Sequence, residues 1–230
     1  MELFYSVKKQ ENFIFLENDE YRHCAKVLRK SIGDSINITD GKGHLYIGKI
    51  EEISKNNVKI KIFESIFFEN NEKFALAVAP TKNAERIEWM LEKAVEIGLK
   101  SIQFIICEKS ERKTLNIKRL EKIAISAIKQ SNRFWLPQIF EPVSFNNYIE
   151  MNENGYIAHC ASDEKLNFNP DLTKINIDVL IGPEGDFTEN EIKNALRKNF
   201  VPVSLGNYRL RTETAALYAC NVLKFLMRKN

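Results

Sequence analysis

Cysteine is scarce in this sequence, and Cys24, Cys107, Cys160 and Cys220 stand singly, with no CxxC or Cys/His spacing able to close around zinc. No metal site is therefore expected, and unpaired thiols suit a reducing cytoplasm. No apolar run of about eighteen residues occurs, and no short apolar segment follows Met1, so neither a membrane span nor export is expected. Internal repeats and low-complexity tracts are also missing. So is the Gly-x-x-x-x-Gly-Lys-Ser/Thr loop that would cradle nucleotide phosphates. Neither sign of charge dominates: 34 basic against 31 acidic residues leave a net charge of +3, too little to name a nucleic-acid partner by itself.

What is present is enough apolar material, 44% of 230 residues, to bury the core of one large domain or two modest ones. The first seventy or so residues alternate apolar and polar positions in short runs, Ile36–Thr39, Leu45–Ile53 and Val58–Phe63, separated by Gly33, Gly41, Gly43 and Asn56-Asn57. That alternation predicts strands and hairpins. Asp19 through Arg29 holds no breaker and predicts a short helix. It would carry the basic group Arg22, His23, Lys26, Arg29 and Lys30. A polar patch, Glu69-Asn-Asn-Glu-Lys73, marks the best boundary.

Beyond it the pattern becomes strand and helix in turn. Phe74–Ala79, Ile102–Cys107, Tyr156–Cys160 and Ile177–Ile181 read as buried strands. Helices are predicted from Asn83 to Ile97, with Ile87, Met90, Leu91, Ala94 and Ile97 on one face, and from Asn116 to Gln130. Apolar strands interleaved with amphipathic helices predict an α/β domain, a parallel sheet covered on both faces. A second basic group, Lys109, Arg112, Lys113, Lys118 and Arg119, falls here. By charge alone each basic group reads more readily as an ordinary solvated face than as an RNA site.

Two segments repeat one arrangement, in which a strand runs into a glycine-containing loop and then a helix. Asp178–Ile181 leads into Gly182-Pro-Glu-Gly185, after which Thr188-Glu-Asn-Glu191 has capping-box spacing. Val201–Leu205 leads into Gly206-Asn-Tyr-Arg-Leu-Arg-Thr-Glu-Thr-Ala215 and a helix from Thr212 to Met227. Loops at the carboxyl ends of strands are where open α/β sheets hold ligands, and glycine admits close backbone approach. Taken singly, the first loop reads as well as a tight turn stiffened by Pro183, and the second as a helix capped by Thr212, with Glu213 suited to its dipole.

Ile181–Gly185 and Leu205–Ala215 together resemble the RsmE family of 16S ribosomal RNA uracil-N3 methyltransferases. His23-Cys-Ala-Lys-Val-Leu-Arg29 resembles that family's HxxxVLR segment, Lys93-Ala-Val-Glu-Ile-Gly98 its KxxELG helix, and Glu108–Arg112 its following basic segment. The resemblance implies a PUA-like β-barrel RNA-binding domain over residues 1–70 and a SPOUT methyltransferase domain with a deep trefoil knot over 71–230. It further implies a homodimer acting on 16S ribosomal RNA or the assembled small ribosomal subunit, and the cysteine usage and the lack of a long apolar run add a cytoplasmic setting with no membrane or metal partner.

Carried over by motif, Pro80, Thr81, Ile181, Gly182, Pro183, Glu184, Gly185, Leu205, Gly206, Leu210, Arg211 and Thr212 are expected around S-adenosylmethionine. Arg22, His23, Arg29, Lys82, Arg112 and Arg133 are expected toward RNA, with helix packing the alternative for His23. Methylating N3 of a uracil requires removal of a proton and stabilisation of the ring oxygens. Arg211 is the candidate stabiliser and Glu213 the candidate base. Asp186 departs from the further glycine many relatives carry, and Lys129-Gln130-Ser131 from the more usual Glu-Gln before Arg133. A SPOUT enzyme acting on transfer RNA and a non-catalytic RNA-binding assembly factor remain the alternatives.

Overall fold

A computed structural model describes residues 2–160, 166–168, 170 and 177–227, which divide into two compact units. The first comprises 2–71 with Ile125–Leu136. The second comprises Glu72–Ala124 and the described residues from Pro137 to Met227.

In the first unit, β1 (Leu3–Tyr5), β2 (Lys9–Gln10) and β3 (Phe13–Glu17) lead into a single helical turn, α1 (Asn18–Tyr21). Long strands β4 (Ser35–Thr39), β5 (His44–Ile53) and β6 (Asn57–Phe67) complete a mixed sheet of order β1-β4-β5-β6-β3-β2. Alternate residues of these strands, Phe4, Ile14, Leu16, Ile36, Ile38, Ile50, Val58 and Ile60, meet in one buried cluster. A single cluster fed from both ends of the strand order requires a sheet curled around its own core.

The helix predicted over 19–29 is replaced by α1 and a wide π-type turn at Arg22–Val27, where the Leu28 amide donates to the His23 carbonyl at 2.9 Å. The widened turn buries Cys24 and leaves Arg22, Lys26 and Arg29 exposed, Arg29 with a left-handed φ of 53°. Position 129, one of the departures from the family pattern, has a local partner: Lys129 pairs with Glu20, whose other oxygen accepts from the Tyr5 amide at 3.2 Å.

The second unit holds β7 (Phe74–Val78), α2 (Ala84–Ile97), β8 (Ser101–Ile106) and the first turns of α3 (Ile117–Ser131). β9 (Gln138–Ser144), α4 (Phe145–Met151), β10 (Tyr156–Ala158), β11 (Leu166–Asn167) and β12 (Ile177–Ile181) follow, then α5 (Glu189–Arg197), β13 (Val201–Ser204) and α6 (Thr212–Met227). Asn83 caps α2 by accepting from the Glu85 amide at 2.9 Å, and Gly98 ends it in the left-handed region. Thr188 and Glu191 form the predicted capping box of α5.

Every strand pair recorded in the sheet β11-β13-β10-β12-β7-β8-β9 is parallel. Successive residues of a strand face opposite sides, so Ala77 and Leu180 join Phe145, Ile157, Ile192 and Phe200 in a cluster beneath α4 and α5. On the other face α6 packs on β7 and β12 and against α2, through buried positions such as Met90, Leu91, Ala216, Ala219 and Leu223. This is the two-sided coverage that the apolar strands predict.

Gly155, just before β10, sits where a Cβ would lie 2.4 Å from the Phe200 ring and 3.0 Å from the Asp178 carbonyl. Gly155→Ala is therefore expected to force β10 away from its neighbours and to destabilise the fold by about 1–3 kcal/mol, read as a lower urea midpoint with unchanged slope.

Candidate functional site

Three neighbouring parallel strands, β13, β10 and β12, end on one side of the sheet, and the loops that leave them enclose a cleft of about 510 Å³. Its walls are Ala158–Cys160 after β10, Ile181–Glu184 with Asp186 after β12, and Val203–Thr212 after β13, with Ala215 from α6. Carboxyl-terminal loops of adjacent strands make such a crevice because their backbones splay apart once the ladder ends.

The loops are joined by specific bonds. Thr212, buried at the start of α6, donates its hydroxyl to the Gly182 carbonyl at 2.9 Å, so it braces the facing loop. Arg209 donates to the Glu184 carbonyl at 2.6 Å, and the Glu184 carboxylate accepts from the Lys82 amide at 3.0 Å. Phe187, almost fully buried, packs on Phe145 with ring centroids 5.5 Å apart and anchors the end of the first loop in the core.

Asp186 takes a left-handed φ of 62°, the conformation in which glycine is most at ease. Its carboxylate accepts from its own neighbour's amide, Phe187, and from the Cys160 amide, both at 2.8 Å. A short polar side chain that bonds locally is what tolerates this backbone region.

Of the residues expected around the cofactor, Ile181, Gly182, Pro183, Glu184, Leu205, Gly206, Leu210, Arg211 and Thr212 line the cleft. Gly185 does not. Its carbonyl accepts from Lys109 at 2.9 Å. Pro80 and Thr81 are buried beside the cleft rather than on its wall. The Ala79 amide bonds the Ile181 carbonyl, and the Thr81 hydroxyl donates to the Asn83 carbonyl.

Arg112 donates to the carbonyls of Thr81 and Lys82, and the Lys82 ammonium pairs with Glu111 at 2.8 Å, so these two basic residues brace the loop after β7. In the first unit Arg22 and Arg29 are exposed, Arg133 is half-buried, and His23 is half-buried with its ring 5.6 Å from that of Phe4. His23 therefore packs on Phe4 while its side chain stays half-exposed to solvent.

Glu213 lies outside the cleft wall. It lines a second cavity of about 430 Å³ with Asn83, Glu85, Arg86, Trp89, Arg211 and Thr214. Arg211 borders both cavities. The Glu213 side chain is 8% exposed; Oε1 lies 3.7 Å from Arg86 Nε, while Oε2 is shielded from solvent and has no hydrogen-bond partner among the described residues. The sequence alone does not place the segment 158–160, Arg86 or Trp89 at the site. The first was legible as the end of a buried strand beside the glycine loops, whereas the helical pair carries no local signal beyond its spacing.

The thiols behave differently. Burial pushes Cys24 up to about 11 and raises Cys107 and Cys220 as well, which keeps all three protonated and unreactive. Cys160 is exposed on the cleft wall.

These features combine a two-sided parallel sheet with a loop-walled cleft, and the comparisons give the class. Residues 68–224 match the RNA methyltransferase domain family and residues 16–63 the RNA methyltransferase PUA domain family, so the class is an RNA methyltransferase. Ribosomal RNA small subunit methyltransferase E of Buchnera aphidicola (subsp. Acyrthosiphon pisum) is 33% identical over 92% of this chain and 87% of its own length. The enzyme of the same name from Rickettsia conorii is 30% identical over 93% and 90%. The chain belongs to this family, the small subunit methyltransferases E.

Two solved structures are similar throughout. A probable rRNA-methyltransferase from Porphyromonas gingivalis has a TM-score of 0.90 at 36% identity, covering 100% of this chain and 99% of that one. A ribosomal RNA small subunit methyltransferase E from Neisseria gonorrhoeae, bound to S-adenosyl methionine, has a TM-score of 0.86 at 26% identity, covering 98% of each.

Two measurements check this geometry. In the native protein a maleimide reagent is expected to modify Cys160 and to spare Cys24, Cys107 and Cys220 until denaturant is added, as read by peptide mass spectrometry. Thr212→Val leaves the Gly182 carbonyl without its donor and is expected to destabilise the protein by about 1–3 kcal/mol in urea titrations; a smaller loss than Thr212→Ser would deny that bond its role.

Proposed function

We propose that this protein methylates N3 of a uridine in 16S ribosomal RNA of the small subunit, using S-adenosylmethionine held in the cleft at the ends of β10, β12 and β13. The observation that carries the reading is the convergence of the two motif loops, with the β10 loop, on one cleft. Its donor set fits the group. Ile181, Leu205, Leu210 and Ala215 offer apolar walls for an adenine ring, Glu184 and Asp186 offer negative charge for cationic ends, and Arg209 and Arg211 offer donors for a carboxylate. S-adenosylmethionine, when bound, supplies an electrophilic methyl group.

The chain's own residues do the rest. Arg211, on the border of both cavities, donates to the uracil oxygens as negative charge develops on the ring. The Glu213 carboxylate takes the N3 proton; its shielded oxygen is an acceptor that no group among the described residues satisfies. The base must leave its stack to reach such a site. Arg22, Arg29 and Arg133, with half-buried His23, supply phosphate contacts from residues 1–70 and the segment that packs with them, and residues 71–230 supply the SPOUT domain with its trefoil threading. The proposed assembly is a cytoplasmic homodimer. Tyr218 and Phe225, exposed two turns apart on α6, provide an apolar stripe for an isologous contact.

The deciding experiment incubates the full chain with radiolabelled S-adenosylmethionine and small subunits from cells lacking this enzyme, then identifies the labelled nucleoside. Label in 3-methyluridine is expected; label in another nucleoside, or only in transfer RNA, would reject the substrate. Glu213→Gln is expected to lower kcat by about a hundredfold or more while cofactor affinity in calorimetry stays put. Gly206 has a φ of 131°, which a branched residue resists, so Gly206→Val is expected to abolish cofactor binding while most of the thermal stability survives.

A further inference from the structure

We infer that the cavity between the first turns of α2 and α6 reads the hydrogen-bonding edge of the target base, with Arg86, Glu213 and Arg211 as the reading groups and Trp89 as the surface on which the ring stacks. The inference rests on the methyltransferase reading above and adds to it two residues, Arg86 and Trp89, and a rule for base selection.

Position is the first argument. A methyl acceptor must lie against the cofactor cleft, and this cavity shares Arg211 with it. At about 430 Å³ the cavity is within the size range of small-molecule sites.

Chemistry is the second argument. Uracil presents, in sequence along one edge, an acceptor oxygen, the N3–H donor and a second acceptor oxygen. The cavity offers the complementary set: a guanidinium, a carboxylate and a second guanidinium, in Arg86, Glu213 and Arg211. Arg86 Nε lies 3.7 Å from Glu213 Oε1, near enough to hold the charge and beyond ordinary hydrogen-bond reach, so a ligand oxygen does not have to displace a formed bond there. Glu213 Oε2 has no hydrogen-bond partner among the described residues, and rotation about the last side-chain torsion exchanges the two oxygens at little cost.

Charge balance supports a base rather than a phosphate at this point. Glu85 and Glu213 offset Arg86 and Arg211, which leaves the cavity close to neutral. Trp89, 49% exposed on the rim, presents the aromatic surface that single-stranded bases stack on. Cytosine meets this set badly. Its N3 is an acceptor facing the carboxylate, and its amino group is a donor facing a guanidinium.

The test uses two five-nucleotide single-stranded RNAs that differ only in a central uridine or cytidine. The chain has two tryptophans, so Trp135→Phe makes Trp89 the sole reporter. Saturable quenching of Trp89 by the uridine oligonucleotide is expected, with the cytidine one binding about tenfold more weakly or worse. Arg86→Ala and Glu213→Gln should each shrink that ratio to about threefold or less, while calorimetric affinity for S-adenosylmethionine is unchanged. Anisotropy of the labelled oligonucleotides on the protein with both tryptophans gives the same ratio independently of Trp135→Phe. Equal affinity for the two RNAs, an unchanged ratio in both variants, or RNA binding that leaves Trp89 fluorescence unmoved would overturn the inference while cofactor binding persists. A parent protein that binds neither cofactor nor RNA would overturn the methyltransferase reading and this inference together.

Discussion

The bond from the Thr212 hydroxyl to the Gly182 carbonyl is the constraint on which the site depends. β12 and β13 are not neighbours; β10 runs between them. Their loops have no ladder in common and would drift apart without a crosslink. Thr212 supplies one from a buried position and Arg209 another through the Glu184 carbonyl, while Asp186 ties the β10 loop to its neighbour through the Cys160 amide. Three loops that the sheet itself leaves independent thereby become one wall.

That wall explains how the protein separates two demands. The apolar layers under α4 and α5 and under α2 and α6 hold the strands, and they carry little polar chemistry. The polar groups gather where the ladder stops, and several are fixed by a neighbour: Glu184 by the Lys82 amide, Arg209 by the Glu184 carbonyl, Glu191 by its capping box. Fixed polar groups are positioned before a ligand arrives, which spares the site their reorganisation.

Much of this was legible in the sequence because the signals were local. The described part of α6 spans Thr212–Met227, the helix expected there, and α2 is bounded by Asn83 and Gly98, whose capping chemistry is explicit. β9 was not legible: Gln138–Ser144 contains Pro142 and has mostly exposed or half-buried residues, so neither alternation nor an apolar run announces it. The π-type turn at Arg22–Val27 lacks any marker of periodicity and reads as ordinary helix. Loop residues near Gly182 and Gly206 were found from strand-loop-helix order and resemblance. The outward turn of Gly185 and the bracing of Thr81 depend on Lys109 and Arg112, residues tens of positions away. Arg86 and Trp89 belong to an amphipathic helix, and nothing in that helix alone distinguishes a side chain facing a cavity from one facing water.

Asp186 carries a consequence for the kinetics of ligand exchange. Holding a residue other than glycine in the left-handed region costs about 1 kcal/mol, and its two amide bonds offset that cost in the loop without help from a ligand. A glycine at the same place would sample several backbone wells and settle into one only on binding, giving up entropy at that moment. The aspartate gives up that entropy during folding instead. Occupancy of the cleft then ends by escape from an already shaped wall, so residence time is governed by the contacts of the bound molecule and not by loop refolding.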